Sequence, residues 1–169
     1  VQQRVVVAAA QLQRHFAGDG AGFVYSHLGT SHQATEDIAC TRAIPNLSVY
    51  SPADRFEVDA CMRLAYQVKT PVYLRMGKSD RGDVHTAAPQ ASIGGLLKVR
   101  QGHVGAVTFI ATGALVRTAL DIAVASYPHA SVWSVPFIKP INTEQVINIC
   151  KESSLVVVLE DHSILGGLG

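Results

Sequence analysis

Residues 18–45 read GDGAGFVYSHLGTSHQATEDIACTRAIP, and this stretch decides how we interpret the rest of the chain. Its first half is rich in glycine, which indicates a loop whose backbone turns sharply or approaches another group closely. Its second half predicts a helix over Thr35–Ala43, with Thr30 or Ser31 as the N-cap. A polar, glycine-rich loop that leads into a helix is a common ligand-binding place, although an ordinary strand-to-helix connection has the same pattern.

Strand and helix patterns alternate on both sides of this loop. We predict a helix over 1–11, strands over 14–17, 46–50 and 71–76, and a helix over 53–68. For the last helix, Ser51 is the predicted N-cap, Pro52 the first helical residue and Asp54 a member of the first turn. Because no hairpin turn separates these strands, the sequence predicts parallel pairing with helical crossovers.

A polar segment over 77–94 interrupts this alternation and predicts a linker between two domains. Beyond it we predict strands over 96–100, 104–111, 130–134 and 154–160, helices over 112–126 and 142–150, and a corner over 136–140. The run SLVVVLE over 154–160 is apolar and β-branched, which is typical of a central parallel strand. The fold class is therefore α/β, with two doubly wound, mostly parallel sheets. Polar clusters follow strands after Ala17, at 75–78 and at 160–162, where binding residues of such sheets gather.

Composition excludes several classes of function. The chain has 14 Lys and Arg against 13 Asp and Glu, without a basic cluster, which argues against nucleic-acid binding. No apolar run approaches the roughly 20 residues of a membrane span, and the first residues lack the layout of a secretion signal. The cysteines, Cys40, Cys61 and Cys150, lack metal-ligand spacing, and we predict that they are core residues in a reducing compartment. We expect a cytoplasmic protein.

Four ordered motifs carry a resemblance to a known family. They are AGFVYSHLGTSHQATEDIACTRAIPNLSVYSPAD, PVYLRMGK, IKPIN and VVVLEDHSILGGLG. Together they resemble the C-terminal half of transketolases, and most closely the split members whose two halves are separate chains. The resemblance implies the later part of a pyrimidine-binding domain over 1–83, a linker over 84–94 and the early part of a transketolase C-terminal-type domain over 95–169. Both domains are expected to be incomplete.

The resemblance implies a thiamine-diphosphate-dependent enzyme that transfers a two-carbon ketol unit between sugar, sugar-phosphate or sugar-like substrates. It also implies an N-terminal-half partner subunit that holds most of the cofactor and Mg²⁺, in a heterotetramer of two plus two. We assign no metal ligand in this chain, because Asn46, after Gly18-Asp19-Gly20, lies in the wrong context for the family's metal motif. Three alternatives stay open: a non-catalytic assembly subunit, a deoxyxylulose-phosphate-synthase-like enzyme and a 2-oxo-acid-dehydrogenase-like carboligase.

Catalytic roles are implied for two residues. His32 matches the family histidine that reaches the hydroxyl and carbonyl end of the donor ketose, where an imidazole can donate to an alkoxide and shuttle a proton. Glu36 is a candidate partner for His32. Asp37, beside it, is interpreted as a helix-dipole residue or a salt-bridge partner of Arg42. Residues 160–162, the EDH of the last motif, are interpreted as interface or capping residues.

Substrate contacts are implied for His32 and three further residues. Leu28 stands where full-length transketolases carry an aspartate that reads sugar hydroxyls, so it leaves the donor sugar open. Lys78 matches an arginine that grips the substrate phosphate, and lysine keeps the charge without the bidentate fork. Arg75 precedes it at the end of the same strand. The predicted cofactor-binding residues are Gly20, Gly22 and Tyr25.

Overall fold

The structure is a computed structural model that describes residues 15–78 and 81–169. The helix predicted over 1–11 lies outside these ranges. The described strands and helices are β1 (His15–Asp19), α1 (Asp37–Arg42), β2 (Ser48–Tyr50), α2 (Arg55–Gln67), β3 (Val72–Met76), β4 (Leu97–Arg100), β5 (Val107–Ala111), α3 (Leu115–Ser126), β6 (Ser131–Ser134), β7 (Phe137–Lys139), α4 (Thr143–Lys151) and β8 (Leu155–Leu159). They form two four-stranded mixed sheets with helices, which confirms the α/β class.

The first sheet has the strand order β1-β3-β2-β7. The pairs β1–β3 and β2–β3 are parallel, which confirms the predicted crossovers. The corner predicted over 136–140 is wrong, because β7 lies there and pairs antiparallel with β2. Phe137 and Ile138 are buried, so these apolar residues gain more from joining the sheet than from an exposed turn. Thus β7, which comes from the second half of the chain, joins a sheet whose other described strands come from the first half.

The second sheet has the order β4-β6-β5-β8, and β5 is parallel to both of its neighbours. Its core forms between α3 and the middle strands, where Phe109, Val116 and Val132 are buried. Among the described strands β8 lies at the edge, with Leu155 56% exposed and Val158 40% exposed. Within the described residues β8 thus has one strand neighbour, β5, and not the two of a central strand. An apolar, β-branched run indicates strand formation, but it does not fix the position of the strand within the sheet.

Asp54 is the N-cap of α2, and the prediction of Ser51 as N-cap is wrong. Asp54 Oδ1 accepts hydrogen bonds from Phe56 N at 3.0 Å and Glu57 N at 2.9 Å. Its Oδ2 accepts from Val84 N and His85 N, each at 2.9 Å. The same carboxylate therefore caps the helix and binds the backbone of residues 84 and 85.

The cysteines do not all lie in the core as predicted. Cys61 on α2 is buried, whereas Cys40 and Cys150 are exposed. Both exposed thiols are on amphipathic helices, where one residue of separation decides which face a side chain occupies. Across 15–78 and 81–169, none of the helices has the length and apolar content needed to cross a membrane.

Candidate functional site

The glycine-rich loop leaves the carboxyl end of β1 beside the carboxyl end of its parallel neighbour β3. Gly20 N and Ala21 N both donate to Met76 O, at 3.0 and 3.2 Å. Lys78 Nζ, just after β3, lies 4.7 Å from the centroid of the Tyr25 ring. The sequence-predicted polar clusters after β1 and β3 therefore meet at one edge of the sheet, as expected for parallel strands.

Two backbone hydrogen bonds close the base of this loop. Gly22 N donates to Ala34 O at 3.1 Å, and Ala34 N donates to Gly22 O at 3.0 Å. Between them the chain forms two short 3-10 helices, Ser26–Leu28 and Thr30–His32. We call residues 22–34 the candidate-site loop. Thr30 and Ser31 do not cap α1, so that prediction is wrong, because the residues between them and Asp37 leave helical geometry.

His32 lies on the second 3-10 helix and is exposed. Its Nδ1 is 2.9 Å from Ser31 Oγ. Glu36 accepts from Thr35 N and Thr35 Oγ1, each at 3.1 Å, which turns its carboxylate toward its own backbone. Within the described residues no hydrogen bond joins Glu36 to His32, so their pairing stays a prediction. Leu28 is 48% exposed at the tip of the loop, where a ligand can reach it.

Lys78 presents its charge to solvent beside the loop. Its contact with Tyr25 raises the pKa of the ammonium group above the ordinary value, and the charge of Asp19 adds to the effect. The side chain is therefore cationic at neutral pH and placed to meet an anionic group. Contact between Lys78 and a substrate stays a prediction.

Arg75, one residue after Leu74 on β3, is only 1% exposed and makes several buried contacts. Its Nε donates to Asp37 Oδ2 at 2.8 Å and its Nη1 to Asp161 Oδ1 at 2.7 Å. Its Nη2 donates to Ala34 O at 3.1 Å and Asp161 O at 3.2 Å. Burial lowers the pKa of Arg75, but the charges of Asp37 and Asp161 outweigh it and the net pKa is raised. Four of the five guanidinium hydrogens are thus used inside the protein.

Such an arrangement favours a structural role for Arg75, and its predicted substrate contact stays a prediction. Asp37 also accepts from Tyr73 Oη at 2.9 Å. The interpretation of Asp37 as a partner of Arg42 is wrong, because Arg42 donates to Gly167 O instead. Sequence reasoning missed this cluster, although one signal was present. An arginine inside an apolar strand needs a buried carboxylate partner.

The EDH residues each bind backbone or side-chain groups of this chain. Glu160 accepts from Leu168 N at 2.6 Å and Gly169 N at 3.2 Å, which is the capping role expected of it. His162 Nε2 accepts from Ala39 N at 3.3 Å while its Nδ1 donates to Ser163 O at 2.7 Å, so the ring is assigned as the Nδ1–H tautomer. The segment after β8 therefore packs along the start of α1.

Two family models match successive parts of this chain. They are the transketolase pyrimidine-binding domain over residues 1–82 and the transketolase C-terminal domain over residues 95–169. The chain belongs to the transketolase family.

Known proteins agree with this assignment. The chain is 35% identical to a protein of Methanocaldococcus jannaschii described as a transketolase C-terminal section, across 98% of this chain and 52% of the relative. It is 30% identical to a 6-deoxy-6-sulfo-D-fructose transketolase subunit of a Clostridium species, across 99% and 52%. A solved structure described as a split gene transketolase, inactive beta4 tetramer, is 31% identical with a TM-score of 0.79, across 91% of this chain and 50% of that one. This chain spans about half the length of these two curated relatives.

Thiamine diphosphate and a divalent metal are implied by the family, and the glycines of the loop are the residues expected to approach them. A Cβ added to Gly20 would lie 2.7 Å from Tyr25 Cε2, and one added to Gly22 would collide with Asp161. Both glycines have positive φ, 89° and 60°, and both serve internal packing rather than an open cradle. Over 15–78 and 81–169 no group of three or more His, Cys, Asp or Glu could hold a metal. The described residues alone therefore do not fit the cofactor, and contacts from Gly20, Gly22 and Tyr25 stay predictions.

A groove elsewhere on the molecule is separate from this loop. It encloses about 350 Å³ between α4 and the strands β4 and β6. Lys98 Nζ lies 4.8 Å from the Trp133 ring centroid on one wall, and Gln145 on α4 hydrogen-bonds the backbone of Leu96 on the other side. Its aromatic face is thus already covered by a cation of the same chain. The residues to which the family motifs assign a role lie in and around the candidate-site loop instead.

Proposed function

We propose that this chain is the C-terminal-half subunit of a transketolase-type enzyme that transfers a two-carbon ketol unit between sugar or sugar-like substrates. The observation that carries the proposal is the succession of both transketolase domains, with an exposed histidine in the candidate-site loop and an exposed lysine just after β3. Relatives named as transketolase subunits or sections support it.

Each exposed side chain has a distinct task in this proposal. His32 holds or moves a proton at the oxygen of the donor substrate, because an imidazole does both near neutral pH. Lys78 attracts a phosphate or another anionic group of the substrate as a point charge. Leu28 lines the same loop with an apolar surface, so the enzyme makes no demand for a sugar hydroxyl there.

The proposal assigns thiamine diphosphate and Mg²⁺ mainly to an N-terminal-half partner chain, where the cofactor, when bound, would supply the chemistry that cleaves the carbon–carbon bond. The relative whose structure is described as an inactive tetramer supports the expectation that this half is inactive alone. We propose that two copies of each chain assemble, with the active sites at their junctions.

The test combines the full-length protein with its N-terminal-half partner, thiamine diphosphate and Mg²⁺, and measures two-carbon transfer from ketose donors. Activity should require both chains. His32→Ala should lower kcat/KM by about 100-fold, the scale of losing one acid–base or oxyanion-stabilising group, with cofactor affinity nearly unchanged. His103→Ala is the matched control, since His103 is exposed in the second half and stacks on His129.

Three outcomes would contradict the proposal. A complex that forms but transfers nothing favours the non-catalytic assembly subunit. Turnover of a 2-oxo acid in place of a ketose favours a 2-oxo-acid-dehydrogenase-like or deoxyxylulose-phosphate-synthase-like enzyme. Equal kcat/KM in His32→Ala and wild type would remove His32 from the reaction.

A further inference from the structure

We infer that Asp161, from the second half of the chain, is a positioning residue that sets the base of the candidate-site loop and hence the place of His32. Only its catalytic consequence rests on the proposed function. The structural consequence for the loop can be measured in the protein without any substrate.

The first contact is steric. Asp161 lies directly against Gly22, so closely that a Cβ atom on Gly22 would collide with the Asp161 carboxylate. Gly22 is one half of the two-hydrogen-bond bridge that closes the loop, and its φ is 60°. The aspartate therefore fills the space that any side chain at position 22 would occupy.

The second contact is electrostatic and passes through Arg75. The guanidinium group binds Asp161 Oδ1 and also donates to Ala34 O, the acceptor on the other side of the loop base. Arg75 is buried, so water does not compete for these hydrogen bonds and an unpaired charge would be costly. One cation thus holds Asp161 and Ala34 together.

A third contact extends the same arrangement along the chain. Ser163 N donates to Thr35 O at 2.8 Å, immediately after Ala34. The segment after β8 therefore lies against both sides of the loop base, with Asp161 beside Gly22 and Ser163 bound to Thr35. His32 is two residues before Ala34, so its backbone position follows from where this segment holds the loop.

A general stabilising ion pair would act differently from a positioning residue. Its loss would raise the population of the unfolded chain and expose all amides together. Loss of a positioning contact opens the loop locally while the rest of the fold stays protected. Amide hydrogen exchange under native conditions therefore distinguishes a stabilising ion pair from a positioning residue.

We therefore compare amide exchange in wild type and Asp161→Asn, both as full-length protein. Exchange in residues 22–34 should be about tenfold faster or more in the variant, the scale of weakening a charge-assisted hydrogen bond. Exchange in α3 should stay unchanged. The control is Asp121→Asn, which removes an exposed carboxylate paired with Arg117 on α3 and should leave residues 22–34 as in wild type.

A second pair of variants covers the case in which Asp161→Asn does not fold. Gly22→Ala should collide with Asp161 and open the bridge to Ala34. Gly29→Ala also imposes backbone strain, at φ 79° and ψ −173°, where essentially only glycine is found, but it meets nothing within 4 Å and should leave that bridge protected. Equal exchange of the bridge amides in the two glycine variants would overturn the proposal. So would an unchanged loop, or uniformly faster exchange, in Asp161→Asn.

The catalytic consequence is tested in the complex with the partner chain. Asp161→Asn should lower kcat/KM about tenfold in the wild-type background and much less in a His32→Ala background, because effects that act through one residue are not additive. Fully additive losses would overturn positioning through His32. If no variant of the complex transfers a ketol unit, the proposed function fails, whereas the exchange experiment still decides the role of Asp161.

Discussion

Asp54→Ala should be among the most destabilising single changes available in this chain. The Asp54 carboxylate is nearly inaccessible, at 4% exposure, and it accepts hydrogen bonds from four backbone N–H groups. Two belong to the first turn of α2 and two to Val84 and His85. Alanine leaves all four donors without this partner.

The magnitude follows from counting these bonds. Loss of a helix N-cap costs about 1 kcal/mol, and a hydrogen bond to a charged group contributes about 1.5–3 kcal/mol. Because the four bonds share one carboxylate and are not additive, we expect a loss of about 3–5 kcal/mol in the free energy of unfolding. Asp54→Asn keeps an acceptor for the cap but turns an NH₂ toward Val84 and His85. It should cost about half as much.

The assay is urea unfolding of the full-length protein, followed by circular dichroism. Asp59→Asn is the matched control, because Asp59 lies on the same helix in an exposed pair with Arg63 and should cost at most about 0.5 kcal/mol. Ser51→Ala tests the competing assignment of the cap. Ser51 Oγ is buried without a hydrogen-bond partner in the described structure, so its removal should be nearly neutral. If Ser51→Ala costs as much as Asp54→Ala, the reasoning is refuted.

Three further predictions concern other groups. His85 Nε2 lies 2.8 Å from Glu57 Oε1, and this hydrogen bond raises the pKa of His85. Its stabilisation is thus fully present below the ordinary pKa of about 6.5 and is lost as pH rises through the raised value. The difference in unfolding free energy between wild type and His85→Gln should shrink from pH 6 to pH 9, and a constant difference would contradict this. For the thiols, burial and the charge of Glu57 raise the pKa of Cys61, so a thiol reagent should label Cys40 and Cys150 quickly and Cys61 only on unfolding. Rapid labelling of all three would show that the core opens. Lys78→Ala should raise KM for anionic substrates and leave KM for neutral ones unchanged in the complex, and equal effects on both would exclude charge recognition.

Local signals in the sequence predicted most elements but not their partners. The parallel direction of the pairs around β3 follows from the absence of hairpin turns, and it is confirmed. The β7 strand was missed because two prolines flank only three residues. Asp54 and Ser51 are both good N-caps, and only the approach of Val84 and His85 decides between them.

At the candidate site, too, local sequence signals do not predict which distant residues come into contact. The loop follows from its glycine content, whereas the roles expected of His32 and Lys78 come from the family resemblance and stay predictions. The contact of Arg75 with Asp161 joins residues 86 positions apart, and no local preference encodes it. The edge position of β8 likewise depends on strands elsewhere in the chain.

The pairing of β2 with β7 means that neither half of this chain contains a complete copy of the first sheet. Val49 and Tyr50, both fully buried, rest on a strand that comes after the linker, and Thr112 Oγ1 donates across to Ser51 O at 3.2 Å. A protease that cuts between residues 86 and 94 would thus leave two fragments that still hold each other. If the two fragments were expressed separately, each would expose the surface that the other fragment buries. The fragments would then need coexpression to become soluble.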